Sequence, residues 1–310
     1  MAELVQRATR EQLTKVDASD NIYKVDLWLK TAPQGYLVKT RYGKYEDRPI
    51  EENPLLFEEG DLRDQQLMTL AHFVVGERAA LLSAAGCIPR EPDHAARAFL
   101  STQTADEGRH VEVFSQRLFD LGVTREQFED FLDSWTNPYL KKFCLALEDL
   151  VKNGDYVAAI VCNNIILEGL AFSVFEFSRG ISQFMDPVGE QVLCGVIADE
   201  RRHVGFGENH LAKLVARFPE SKRKIENAQK ELSGFMMASF KSMLSKFGSV
   251  MNRTIGEYKE VLGDFEPYPG IKLGRSNSED LMGAMWTKME REFKDRLTRI
   301  GVDYQEPYQN

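Results

Sequence analysis

Between Asp61 and Phe218 apolar residues recur at three- and four-residue intervals, the period of helices with one buried face. Glycine and proline fall where that pattern breaks and mark the expected helix ends. The pattern predicts a first helix from Asp61, read as its cap, to Gly86, and a second from the Pro89–Pro92 segment to Gly122. Thr124, with Gln127 three residues on, has the form of a capping box for a shorter helix. Another helix follows Asn137-Pro138 and stops at Asn153-Gly154, and a long one covers about Asp155 to Gly180. The last of the central set begins at Asp186-Pro187, a cap with proline at the first helical position. Four long helices with shorter ones between them make an all-α bundle the economical reading.

Residues 20–60 mix Tyr, Lys and Pro without a clean period and are expected to wrap the bundle as irregular chain. Residues 220–262 read as further helix, Asp264 to Ile271 as loop, and Asp280–Arg299 as a final amphipathic helix. No low-complexity linker interrupts the chain. One domain over 1–310 is expected, with a bundle core at about 61–215 and a helical extension at about 220–310.

Glutamate interrupts four of the apolar stripes. The first runs Leu67, Leu70, Val74, Glu77, Leu81, and the fourth long helix runs Val161, Ile165, Glu168, Phe172, Phe175. The other two are Leu100, Gln103, Glu107, His110, Phe114 and Leu193, Val196, Glu200, His203, Gly207. These last two contain one phrase written twice. Ala105-Asp-Glu-Gly-Arg-His-Val111 and Ala198-Asp-Glu-Arg-Arg-His-Val204 agree at six of seven positions. In each, Glu and His three apart share a helix face. Thus Glu77, Glu107, His110 is repeated 91 to 93 residues later by Glu168, Glu200, His203.

One Glu-x-x-His is a weak signal, and a single copy reads more readily as a surface salt-bridge run, Asp106 pairing Arg109 or Asp199 pairing Arg202. Four carboxylates on inner faces are different, because burying even one unpaired costs several kcal/mol. Two divalent cations would balance four glutamates, and two imidazoles complete one ligand set per metal. A Glu from each of two helices plus a Glu-x-x-His from each of two others is the ligand pattern of di-iron and di-manganese carboxylate bundles. Oxygen-rich ligands with one nitrogen per metal suit iron or manganese and leave positions open for dioxygen. Asp106 and Asp199 are expected to orient the imidazoles, with Arg109 and Arg202 in the same network. His210, one heptad beyond His203, reads as a packing or rim histidine. His72 and His94 have no partner that the sequence names.

Composition narrows the class. The chain has 310 residues, 48 acidic against 39 basic, a net charge of −9 and 43% apolar residues. That charge disfavours a nucleic-acid binder, and no run of eighteen uninterrupted apolar residues suggests a membrane span. Cys87, Cys144, Cys162 and Cys194 form no Cys-x-x-Cys pair and read as reduced, mostly buried thiols of a cytoplasmic protein. The charged N-terminus lacks the apolar centre of a secretory signal.

Over about 61–215 the sequence resembles the ferritin-like di-iron carboxylate superfamily. The phrases Glu77-Arg-Ala-Ala, Asp-Glu-x-Arg-His and Asn164-Ile-Ile-Leu-Glu-Gly-Leu are most similar to the ribonucleotide-reductase small-subunit-like ligand-binding oxidases. The doubled Asp-Glu-x-Arg-His also resembles the hydroxylase subunits of multicomponent monooxygenases. The resemblance implies dioxygen activation at an Fe/Fe or Mn/Fe centre beside a pocket for an organic molecule, with an external electron donor and a possible homodimer. Departures are specific. Phe114 stands where reductase subunits hold their radical tyrosine, and Ala80 and Asn163 replace the crosslinked valine and tyrosine of the ligand-binding oxidases. Phe172 replaces the monooxygenase threonine, and Val196 the extra histidine of arylamine N-oxygenases.

The expectation is an oxygen-dependent oxidase or monooxygenase acting on a small organic substrate, either an aliphatic acid or an amine or hydrazine oxidised at nitrogen. Iron storage and a radical-generating subunit are the alternatives. Ala80, Phe114, Phe172 and Gly207 are expected at the substrate pocket, Gly207 either opening room beside the metals or permitting close helix packing.

Overall fold

The computed structural model describes residues 50–308 apart from Tyr258, and for some side chains between 247 and 261 the backbone only. Most of the expected irregular wrap over 20–60 therefore lies outside the described residues. The principal helices are α1 (Asp61–Cys87), α2 (His94–Asp120), α3 (Phe128–Trp135) and α4 (Pro138–Lys152). They continue with α5 (Tyr156–Met185), α6 (Pro187–Arg217), α7 (Ser221–Glu257) and α8 (Ser278–Ile300). Among the described residues there is no strand beyond one isolated bridge, Tyr268 to Ile271, inside the expected loop.

Local chemistry explains the boundaries. Asp93, Asn137, Asp155 and Asp186 each accept a hydrogen bond from a first-turn backbone N–H at α2, α4, α5 and α6. Pro138 and Pro187 occupy first helical positions, where no amide donor is needed. Gly122 and Gly154 take φ of +95° and +76° just past α2 and α4, a conformation costly for other residues.

Three expectations shift. Asp61 is the first residue of α1, and Gly60 precedes it as the cap. The second helix begins at His94, because Ile88–Arg90 forms a separate 3-10 turn. The fourth long helix does not stop at Gly180. It runs to Met185, and Gly180 lies where a Cβ would meet the Phe265 ring at 2.9 Å. That glycine marks close packing, not a break.

α1 pairs with α2 and α5 pairs with α6, and the two pairs face each other as a four-helix bundle. α7 packs on α4 and on the first half of α5, while α8 packs on α5 and α6. Residues 161–167 of α5 form a π-helix, which the sequence pattern did not announce. Its i→i+5 spacing brings Asn163 onto the same face as Glu168.

α1 and α5 are both long and apolar enough to cross a membrane. In α5 that apolar surface is used inside the bundle, where 89% of the window is buried. The four cysteines are free: Cys87 and Cys162 are buried, Cys144 partly so, and Cys194 is exposed.

A buried ion pair ties the two helix pairs together at one end. Arg117 of α2, fully buried, reaches Asp186 at 2.6 and 3.3 Å, and Gln66 of α1 donates to the same carboxylate at 2.6 Å. Glu52 accepts from Arg117 at 2.8 Å. Removing one partner of such a pair leaves a buried charge without compensation. Asp186→Ala, which also uncaps α6, is expected to cost about 3–5 kcal/mol in denaturant unfolding; a loss below about 1 kcal/mol would show that the pair is dispensable.

Candidate metal centre

The four glutamate-bearing stripes converge at the middle of the bundle. Glu77 on α1, Glu107 on α2, Glu168 on α5 and Glu200 on α6 are each at most 4% exposed, and His110 and His203 are fully buried. His110 Nδ1 lies 3.4 Å from Glu77, 3.1 Å from Glu107 and 3.2 Å from Glu200. His203 Nδ1 lies 3.2 Å from Glu107 and 3.7 Å from Glu200. Glu107 and Glu200 therefore each turn one oxygen toward each imidazole and stand between the two. Glu77 belongs to the His110 side, and Glu168 groups with Glu107 and His203.

The expected second ring is present and is crossed. His110 Nε2 faces Asp199 of α6 at 3.3 Å, and His203 Nε2 faces Asp106 of α2 at 3.2 Å. Each carboxylate faces the imidazole of the opposite repeat. An acceptor at Nε2 favours a proton there, which would leave Nδ1 for a metal in the loaded site. Arg109 joins the two aspartates, pairing with Asp106 and, at 3.0 Å, with Asp199. Arg202 pairs with Asp106 and lies 3.6 Å from Asp199.

Three polar residues of the site were not assigned a role from sequence. Gln103 and Asn163 each donate to Glu168 Oε1 at 2.7 Å, and Asn164 donates to Glu168 Oε2 at 3.1 Å. The available signals were polar Gln103 on an apolar stripe and two adjacent asparagines in a strongly apolar helix. Their convergence on Glu168 depends on the π turn, which apolar periodicity does not report.

The donor set fits a pair of cations. Both oxygens of Glu200 and Nδ1 of His203 are buried and, beyond their close approaches to the facing imidazoles and Glu107, make no well-directed hydrogen bond. Such orphaned groups cost about 1–3 kcal/mol each, more when charged. Adjacent ligands on an octahedral ion with bonds of about 2.1 Å lie roughly 3 Å apart, close to the imidazole–carboxylate spacings here. Within each of the two groups all ligand atoms lie within 4.8 Å of one another.

Protons show what the acids need. Burial pushes Glu77 and Glu168 well above the usual carboxylate range, and neighbouring glutamates add to this. Burial acts on Glu107 in the same direction, but His203 and His110 beside it hold it well below that range. Burial lowers both histidines, yet the surrounding carboxylates hold His110 and His203 well above the ordinary imidazole value. Without metal, positive charge is imported as protons.

No protein-family model and no curated protein matches the sequence. Solved structures do. An R2-like ligand-binding oxidase variant with an aerobically reconstituted Mn/Fe cofactor superposes with a TM-score of 0.66, covering 84% of this chain and 91% of that chain at 20% identity. A variant with an aerobically reconstituted Fe/Fe cofactor gives 0.65, covering 84% and 90% at 19% identity. A protein from Synechococcus with aldehyde deformylating oxidase activity gives 0.60, covering 80% and 94% at 16% identity. The fold is ferritin-like. At these identities the likeness concerns the fold alone, so the chemistry of this ferritin-like bundle rests on the cluster itself.

An apolar cavity of about 50 Å³ opens against Glu77, Glu168 and Glu200, with Ala80, Phe175, Met236 and Phe240 among its walls. Of the four expected pocket residues, only Ala80 lies there. Phe114 is buried against Phe73 and Phe175, and Phe172 lies under the guanidinium groups of Arg201 and Arg296. Gly207 opens no room. A Cβ there would stand 2.5 Å from Asn164 Cβ and 3.2 Å from Ile165 Cδ1, so the missing side chain admits the π turn of α5. What sequence could not show is that the extension contributes a wall, through Met236, Ser239, Phe240 and Met243 of α7.

Three histidines lie outside the cluster, and His94 is exposed at the first position of α2. His72 Nδ1 donates to the Met68 carbonyl at 2.7 Å, and its Nε2 accepts from Asn137. Burial lowers its pKa, consistent with a neutral ring. His210 lies away from the cluster, beside Tyr156 and Glu91.

Two outcomes follow for a site that holds metal. Asp106→Asn and Asp199→Asn should each weaken metal binding about 10- to 100-fold by losing control of the imidazole tautomer; unchanged affinity in equilibrium titration would remove their orienting role. Metal must also displace protons that the buried carboxylates and imidazoles share. Uptake is expected to release protons, and apparent affinity to rise with pH, as calorimetry in buffers of different ionisation enthalpy can measure; pH-independent uptake contradicts this.

Proposed function

We propose that this protein is an oxidoreductase that holds two metal ions, Fe/Fe or Mn/Fe, and activates dioxygen to oxidise a small organic molecule. The observation that carries the reading is the buried set of four glutamates and two imidazoles, its donor atoms converging beside an apolar cavity. The Mn/Fe and Fe/Fe cofactors and the oxidase activity named for the similar structures support it by analogy of fold.

Metal bound here supplies reducing electrons and open coordination positions for dioxygen. The protein's residues do the rest. His110 and His203 present Nδ1 to the cluster because Asp199 and Asp106 hold their far nitrogens. Glu107 belongs to both groups and would be shared between the metals, with Glu77 and Glu200 joining it on the His110 side and Glu168 on the His203 side. Gln103, Asn163 and Asn164 steady Glu168. The apolar walls would limit water beside the bound metals.

The cavity also bears on the substrate. Among the described residues its acidic groups are the three glutamates of the cluster, and the other polar lining residues are His72 and Ser239. Among those residues no further carboxylate faces it to receive an ammonium group. That supports oxidation of an apolar carbon skeleton over nitrogen oxidation of a cationic amine. Electrons to regenerate the reduced metals come from an external donor in this reading.

The test combines metal analysis with oxygen exposure of the reduced protein. About two metals per chain, oxygen uptake and a transient visible absorption are expected. Ala80→Phe, which fills space beside Glu77, should keep both metals while reducing substrate-dependent oxygen consumption at least roughly tenfold, on the order of 1.4 kcal/mol or more. Failure to bind two metals overturns the function; unchanged turnover in Ala80→Phe overturns the cavity as the substrate site.

A further inference from the structure

α6 carries His210 seven residues beyond His203, an advance of about 10.5 Å along the helix. Aromatic rings fill that interval. Phe99 of α2 meets the His203 ring edge-on, with centroids 6.3 Å apart. It stacks on Phe206 at 4.2 Å with the planes 11° apart, and Phe206 stacks on His210 at 5.2 Å and 18°. His210 in turn meets the ring of Tyr156, the first residue of α5, at 5.8 Å, with its Nε2 2.9 Å from the phenol oxygen.

The far end of this stack is polar. The Tyr156 hydroxyl donates to Glu91 Oε2, and Glu91 Oε1 accepts the Asp93 backbone N–H at 2.7 Å. Glu91 is only 2% exposed, and its carboxylate lies 3.3 Å from His210. Tyr156 also feels Cys87 of α1, and His210 feels Asp93 and Lys213. Burial and then Glu91 push the phenol pKa up, so it stays protonated, while burial lowers His210 and favours a neutral ring. Phenylalanine would fill the space of Tyr156 equally well. A phenol aimed at a buried carboxylate is instead arranged to lose an electron and a proton together.

We propose that Tyr156 is a redox-active tyrosine that exchanges one electron with the metal centre through the Phe99–Phe206–His210 stack. The inference rests on the dinuclear-metal function above. In the forward step the Tyr156 O–H bond breaks and its proton passes to Glu91 Oε2. The tyrosine is oxidised to a neutral phenoxyl radical, and its electron reduces the dioxygen-oxidised metal pair by one equivalent. An external one-electron reductant, reaching the partly exposed His210–Tyr156 end, restores the phenol as Glu91 returns the proton. The route discharges an oxidising equivalent when the cavity holds no substrate.

The test is freeze-quench electron paramagnetic resonance on metal-loaded, reduced protein mixed with oxygen without substrate, with metal content measured on the same samples. The wild type should show a tyrosyl signal. Tyr156→Phe should abolish it while both metals remain bound and oxidise. Phe206→Leu, which leaves the phenol and its hydrogen bonds in place, should slow its appearance at least about tenfold. The proposal is overturned by an undiminished tyrosyl signal in Tyr156→Phe, by an unchanged rate in Phe206→Leu, or by no radical in wild type whose two metals oxidise. Fewer than two metals per chain overturns the functional reading, and this one with it.

Discussion

Taking four carboxylates out of water is the constraint around which this bundle is organised. The effective penalty is several kcal/mol for each ion, and the mutual repulsion of the four adds to it. Two imidazoles lie among them, and no Lys or Arg ion-pairs with the four glutamates among the described residues. Without metal, protons shared among the buried carboxylates and the two imidazoles offset part of that charge. A pair of divalent cations supplies the same compensation without using up the donor atoms' purpose, and the orphaned oxygens of Glu200 are what such ions would occupy.

The duplicated helix pair makes this arrangement two-sided. Asp106 stands one residue before Glu107, and Asp199 one before Glu200, yet each serves the histidine of the other repeat. The arginines follow the same crossing, so the outer ring locks α2 against α6 at the level of the cluster. On the other side the cavity is closed by α7, a helix outside the duplicated unit. The core thus provides a nearly symmetric set of donors, and the extension makes its surroundings unequal.

The ligand-type residues were legible because a glutamate on an apolar stripe contradicts the burial that the stripe implies, and because the contradiction recurs in order. Helix ends were legible where capping chemistry is local, as at Asn137-Pro138 and Asp186-Pro187. Glycine was less informative. Gly122 marked an end because φ is positive there, whereas Gly180 and Gly207 were needed by neighbours distant in sequence, Phe265 and Asn164. Periodicity also assumes a constant number of residues per turn, so the π segment and the asparagines it turns inward escaped it. The relay ending at Tyr156 joins residues 91, 99, 156, 206 and 210, and no spacing rule connects them.

The central claim is that two metals sit among Glu77, Glu107, His110, Glu168, Glu200 and His203. Anomalous diffraction from crystals grown after aerobic iron and manganese loading measures this directly. The account predicts two peaks about 3.5–4 Å apart, one beside Nδ1 of His110 and the other beside Nδ1 of His203. A cluster without metal in crystals loaded this way, or metal bound only at surface carboxylates, would contradict it.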